Sequence, residues 1–126
     1  AKCYDELLAG LGWLRTPHAP EGSIHGYQAY VCLFAPKPPT LGNVEVLHAR
    51  RNEIMARLES QGIATRQGTH APVLLGLYTE KYGLRREQFP NATLADKLTL
   101  ALPLFPQLTD DEQALVCRSL REAFDL

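Results

Sequence analysis

Cysteine is scarce in this 126-residue chain and shows no pairing: Cys3, Cys32 and Cys117 are odd in number and form no C-x-x-C motif. This argues against a disulfide framework and for reduced packing residues in a cytosolic protein. The histidines His18, His25, His48 and His70 have no H-x-x-x-H spacing, so no structural metal site is expected. An excess of charge of either sign is missing as well. Thirteen Lys and Arg against fourteen Asp and Glu leave a formal charge of -1, which removes the long-range attraction that draws general binders to nucleic acid or anionic lipid. No apolar run approaches the roughly 18 residues needed to cross a bilayer. The opening Ala1-Lys2-Cys3-Tyr4-Asp5-Glu6 is too polar for a secretory leader. A soluble, cytoplasmic protein with neither nucleic acid nor membrane as partner is therefore expected. G-x-x-x-x-G-K-[ST], G-x-G-x-x-G and G-x-S-x-G are also absent, which leaves phosphate-loop, dinucleotide and serine-hydrolase readings without local support.

What is present fits one domain, with 45% hydrophobic and 21% charged residues. Tyr4, Leu7, Leu8 and Leu11 recur at helical spacing, and Gly10 and Gly12 end that helix. No capping residue precedes Tyr4. The start is then either a processed or frayed terminus or a longer chain cut inside a helix. Trp13 to Thr16 reads as a short extended piece, stopped by Pro17. Tyr27 to Phe34 is apolar and aromatic on both alternate faces, as in a strand covered on two sides. Asn43 can cap a helix to about Gln61 that buries Leu47, Ile54 and Leu58, leaves Arg50 and Arg51 on a solvated face, and closes at Gly62.

Ile63 to Arg66 predicts a second strand, Val73 to Tyr78 one or two helical turns, Ala92 to Leu98 a helix capped by Asn91, and Leu100 to Leu104 a buried strand. Thr109-Asp110-Asp111-Glu112 is a capping box that starts a last helix burying Val116, Leu120, Ala123 and Phe124. These acidic residues read as capping groups rather than a catalytic pair. The element order predicts an α+β fold, with a small mixed sheet of three to four strands and helices packed on one face.

Two places carry candidate site residues. Thr65 to Pro72 follows a strand, where loops on a rigid frame carry function. There Arg66 could fork onto a carboxylate or phosphate, and His70 could exchange a proton near neutral pH. The alternative is that Arg66 pairs with a surface acid and His70 caps a turn. The second place is the entrance to the strong strand, where Gln28 and Tyr30 share a face and can both form hydrogen bonds. Packing with a satisfied hydroxyl is the alternative for Tyr30. The cysteines lie in apolar settings that keep a thiol protonated and inert. No complete active site is visible.

The succession Arg50-Arg51-Asn52-Glu53 to Leu58, Gln61-Gly62-Ile63-Ala64-Thr65-Arg66, Gly68-Thr69-His70-Ala71, Phe89-Pro90-Asn91-Ala92, Leu102-Pro103-Leu104-Phe105-Pro106 and Leu108-Thr109-Asp110-Asp111-Glu112-Gln113 resembles the C-terminal region of DegT/StrS-type sugar aminotransferases. Tyr27-Gln28-Ala29-Tyr30-Val31 looks like the first strand of that family's small domain. The match is collinear over nearly the whole chain. The resemblance implies an aspartate-aminotransferase-type fold and, in the full-length protein, pyridoxal phosphate (PLP) as cofactor. It also implies a homodimer and amino transfer, usually from glutamate, to a nucleotide-linked keto sugar.

In such enzymes a large N-terminal domain supplies the cofactor-attaching lysine, the acidic partner of the pyridine nitrogen and most phosphate contacts. Lys2, Lys37, Lys81 and Lys97 stand in nothing similar to that motif. Residues 1–126 are thus expected to be a single small domain, without catalytic residues, metal or cofactor of its own. Truncation within a helix becomes the favoured account of the first residues. Arg66, Thr69 and His70 match the family's loop near cofactor or sugar and join Gln28 and Tyr30 as substrate-binding candidates. Many relatives have a histidine where Val73 stands and a serine where Ala29 stands. A standalone regulatory or binding module, or a fragment of a related sugar dehydratase, are the alternatives.

Overall fold

A computed structural model describes residues 1–125. Its elements run α1 (Lys2–Leu7), β1 (Leu14–Arg15), β2 (Tyr30–Phe34), α2 (Val44–Ser60), β3 (Arg66–Gln67), α3 (Gly76–Tyr82), α4 (Pro90–Leu98), β4 (Thr99–Leu102) and α5 (Asp110–Asp125). Short 3-10 turns at Pro72–Leu74 and Arg86–Gln88 flank α3. The four strands stand in the order β1-β2-β4-β3. Every pairing is antiparallel, so the sheet is not mixed as expected. Among the described residues β2 and β3 both run antiparallel to β4, which lies between them, so the α2 connection crosses over to a strand of the same direction and β4 later fills the gap.

The register explains the core. Tyr30 stands opposite Leu102 and Cys32 opposite Leu100, and with Phe34 they form one apolar face. Tyr4 of α1 and Leu8 just past its end, Val44, Leu47, Ile54 and Leu58 of α2, and Val116, Cys117, Leu120 and Ala123 of α5 close over that face as one cluster. The two tyrosines are buried without orphaned hydroxyls. Tyr4 donates to the Pro103 carbonyl at 2.8 Å, and Tyr30 donates to Asp5 Oδ1 at 2.6 Å. Burial raises the pKa of both phenols. Cys32 and Cys117 are packing residues whose thiols are pushed up to about 12 and about 11 by burial.

The two ends of the chain meet. Trp13 stacks on Phe124 with ring centres 4.2 Å apart, and Arg121 donates to the Leu7 carbonyl. The capping box is present as expected: Glu112 N–H donates to Thr109 Oγ1 at 3.2 Å, while Thr109 N–H donates to Glu112 Oε2 at 2.8 Å. The α2 C-terminus also closes at Gly62, whose φ is +78°. Gly62 N–H bonds the Glu59 carbonyl and Ile63 N–H the Leu58 carbonyl, both at 2.9 Å, with Ile63 and Leu58 both buried.

Several boundaries differ from the expectations. The first helix ends at Leu7, because Gly10 is already left-handed with φ +81°. β2 begins at Tyr30 rather than Tyr27, whose φ of +43° takes it out of strand geometry. β3 starts at Arg66, three residues later than expected, since Ile63 is used to finish the α2 cap. Pro90 opens α4 at its first helical position, with Phe89 rather than Asn91 before it. Asn43 precedes α2 but turns its side chain back onto Thr40 N–H and the Pro38 carbonyl.

The largest correction concerns Arg51, expected on a wet face and found 2% exposed. Its Nε and Nη2 donate to the Lys97 carbonyl at 3.0 and 2.7 Å, and Nη1 to Met55 Sδ at 3.0 Å. Arg50 likewise reaches across to the Phe124 carbonyl at 2.8 Å. Long cationic side chains cover apolar surface and cap helix ends, which periodicity alone assigns to solvent.

Candidate functional site

At one end of the sheet a cleft of about 630 Å³ opens between the approach to β3, the exit of β4 and the first turns of α5. Its walls are mainly apolar, with Ile63, Leu102, Leu104, Phe105, Leu108 and Leu115 among them, and its polar side chains are Gln28, Gln61, Arg66 and Glu112. Glu112 is occupied by the Thr109 cap, whose backbone N–H and hydroxyl hold its carboxyl below the usual range. Arg66 differs. It is exposed and takes no acidic partner among the described residues. A free guanidinium at the edge of an apolar cleft can fork onto a carboxylate or phosphate while the walls hold a less polar portion.

Gln28 lines the same cleft, so the fold brings together two residues 38 positions apart that were singled out separately. Tyr30 is not with them. It lies wholly inside the core, its hydroxyl taken by Asp5, and it shares no strand face with Gln28 because Gln28 precedes the strand.

Thr69 and His70 are exposed on the loop that follows β3. Gln67 organises them, donating from Nε2 to the Thr69 carbonyl at 2.8 Å and lying 3.2 Å from His70 Nδ1. Because Gln67 donates there, Nδ1 accepts, and the neutral ring carries its proton on Nε2. That leaves an exposed donor at the far edge of the ring.

The loop leaves the sheet at Gly68, where an added Cβ would sit 2.3 Å from Val31 Cγ1 and 2.9 Å from Thr99 Cβ. It is caught at its far end by Asp96, whose Oδ2 accepts the Ala71 N–H at 2.9 Å. Gln67, Asp96 and Arg51 were not legible as site residues. The one signal was Asp96 itself, a carboxylate in the last turn of a helix, where the dipole disfavours it.

The DegT/DnrJ/EryC1/StrS aminotransferase family matches residues 1–121. The chain belongs to this family. It is 27% identical over 122 residues to the uncharacterized protein MJ1066 of Methanocaldococcus jannaschii, covering 97% of this chain and 30% of that protein. It is 31% identical over 109 residues to a pleiotropic regulatory protein of Geobacillus stearothermophilus, covering 86% of this chain and 26% of that protein. It is also similar to the spore coat polysaccharide biosynthesis protein SpsC of Bacillus subtilis, at 28% identity over 94% of this chain and 29% of that one.

Among solved structures, the putative sugar aminotransferase Spr1654 of Streptococcus pneumoniae, in its PMP form, superposes with a TM-score of 0.80 at 22% identity, covering 98% of this chain and 29% of that chain. The aminotransferase TlmJ of Streptoalloteichus hindustanus superposes with a TM-score of 0.73 at 24% identity over the same shares. This chain therefore spans between a quarter and a third of the length of the curated relatives it matches. Among the described residues, no helix is long and apolar enough to cross a membrane.

Proposed function

We propose that residues 1–126 are the C-terminal small domain of a PLP-dependent sugar aminotransferase, lying over one side of an active site whose reactive part resides in a larger domain. The observation that carries this reading is Arg66, without an acidic partner among the described residues, at a cleft shared with Gln28 in a chain matched over residues 1–121 by an aminotransferase family. On this reading Arg66 takes a negatively charged group of the substrate, a nucleotide-linked keto sugar. Gln28 meets its hydroxyls from across the cleft, and the Thr69–His70 loop borders the same substrate. Glutamate is the amino donor, and two copies form the working dimer.

PLP supplies an electron sink, once covalently held through a lysine amine and partnered at its ring nitrogen by an acid. The residues of this chain do not fit a site for it. Among the described residues no lysine lines the cleft and its one carboxylate is occupied as a helix cap, while Lys81 lies over the Tyr82 ring at 5.3 Å. The residues that hold the cofactor are assigned to the larger domain.

The test is steady-state turnover of the longer polypeptide with glutamate and a nucleotide-linked keto sugar. Arg66→Ala and His70→Ala each lower sugar turnover about tenfold, as loss of one contact of about 1.4 kcal/mol implies, while cofactor absorbance stays intact. Loss of PLP binding in either variant overturns the placement of this loop on the sugar side. Amination of a keto sugar by the 126-residue chain alone, given PLP, overturns the whole reading.

A further inference from the structure

We infer that Asp96, backed by Arg51, is a positioning residue that fixes the conformation in which Thr69 and His70 are displayed. The inference deepens the proposed function and rests on it for the role of the displayed residues, while its geometry stands alone. Three observations converge on one point of the fold. The loop is held at both ends. Gly68 N–H bonds the Thr99 carbonyl at 3.4 Å, and Ala71, which is 3% exposed, gives its N–H to Asp96 Oδ2 at 2.9 Å and its carbonyl to Leu74 N–H at 3.0 Å. Between these anchors stand only Thr69 and His70, both exposed, and Gln67 ties the Thr69 carbonyl to the His70 ring.

Second, the anchor is built at a locally unfavourable place. Asp96 lies in the last turn of α4, where helix carbonyls concentrate negative potential and a carboxylate is disfavoured. Third, the remedy is also unfavourable by itself. Arg51 is a buried guanidinium with no ion pair within 4 Å among the described residues, and it spends its donors on the α4 carbonyl of Lys97 and on Met55 Sδ. Each placement is costly alone. Together they make sense: Arg51 neutralises the end of α4, and the neutralised end carries the carboxylate that catches Ala71. Thr99 Oγ1, donating to the Ala95 carbonyl at 2.6 Å, closes another carbonyl of the same turn. A core that needed only stability would be served by an apolar residue at 51.

Amide hydrogen exchange on the 15N-labelled 126-residue chain tests this without reference to activity. Leu100, in the middle of the sheet, serves as the internal standard. Asp96→Ala speeds exchange at Ala71 about tenfold or more relative to Leu100, the size expected when a charged acceptor is lost. Asp96→Asn, whose Oδ1 can still accept, restores most of the protection. Arg51→Met loosens Ala71 in the same direction, through α4. Equal acceleration at Ala71 and Leu100 overturns the inference, because the residue is then merely structural. So does unchanged exchange at Ala71, or an Asn variant as loose as the Ala variant.

In the longer polypeptide, Asp96→Ala lowers sugar turnover and Asp96→Asn recovers it. If Arg66→Ala and His70→Ala leave turnover untouched while the exchange pattern holds, the proposed function fails and the anchoring of the loop survives.

Discussion

The segment from Pro72 to Phe89 and the body onto which it is joined are both rich in leucine and tyrosine, and they use these residues in opposite ways. In the body, Tyr4, Tyr30, Leu58 and Leu120 are completely buried. In the segment, α3 buries none of its residues, and Leu77 and Tyr82 are 65% and 59% exposed. The difference is not composition. Body side chains recur at the spacing that faces another element, so α2 and α5 can close over the sheet together. Among the described residues α3 packs chiefly on the neighbouring Pro72–Leu74 turn, which leaves Leu75, Leu77 and Tyr82 exposed, and the helix ends at a left-handed Gly83. Apolar content says that a segment can be buried. It takes a facing surface to bury it.

Substitutions can break this contrast or sharpen it. The largest effect is expected at Leu58→Ala, deep under the sheet, which loses roughly 2–5 kcal/mol of stability through transfer and cavity terms, read by urea melts. A loss below about 1 kcal/mol would show that the body is no better packed than the segment. Gly68→Ala should follow at about 1–3 kcal/mol, because its Cβ meets Val31 and the branched Cβ of Thr99, which has little room to retreat. The same melts check it, with exchange at the β3–β4 ladder showing that the damage is local.

Thr109→Ala removes the α5 cap and is expected to lose about 1 kcal/mol at neutral pH. Glu112, the reciprocal member, has a folded pKa below its ordinary 4.5 because Thr109 donates to the ionised form. Its stabilising share is therefore complete above that value and fades as pH falls through the folded pKa. The gap between wild type and Thr109→Ala should narrow on acidification, and a gap that widens instead would contradict the cap's ionic character. Smallest is Leu77→Ala, expected within about 0.5 kcal/mol of wild type because there is almost no burial to lose. A value of several kcal/mol would mean that α3 belongs to the body after all.

The sequence was most readable where local rules and tertiary needs coincide. The Thr109 box, the Gly62 closure and the Leu47, Ile54, Leu58 stripe all follow from neighbours within a few positions. Periodicity fails where a side chain acts at a distance. Nothing near Arg51 announces that the α4 carbonyls lie beside it, 46 positions away. The strand around Tyr30 was visible, but its true start was not, because the left-handed turn at Tyr27 is one that most side chains avoid. For the candidate site, Arg66 and Gln28 were legible as residue types, and only the fold joins them in one cleft. Tyr30 has equally suitable chemistry and lies elsewhere.

The meeting of Trp13 with Phe124, and of Arg121 with the Leu7 carbonyl 114 positions away, sets a schedule for the nascent chain. At about 5–20 residues per second, the aromatic face of the first helix and Trp13 leave the ribosome many seconds before the helix that covers them has been translated. Until then the core lacks the α5 part of its wall, and Tyr4, Leu8 and Trp13 stand open to other chains. Translation speed and chaperone supply should therefore govern the yield of soluble material at least as strongly as the equilibrium stability of the finished domain.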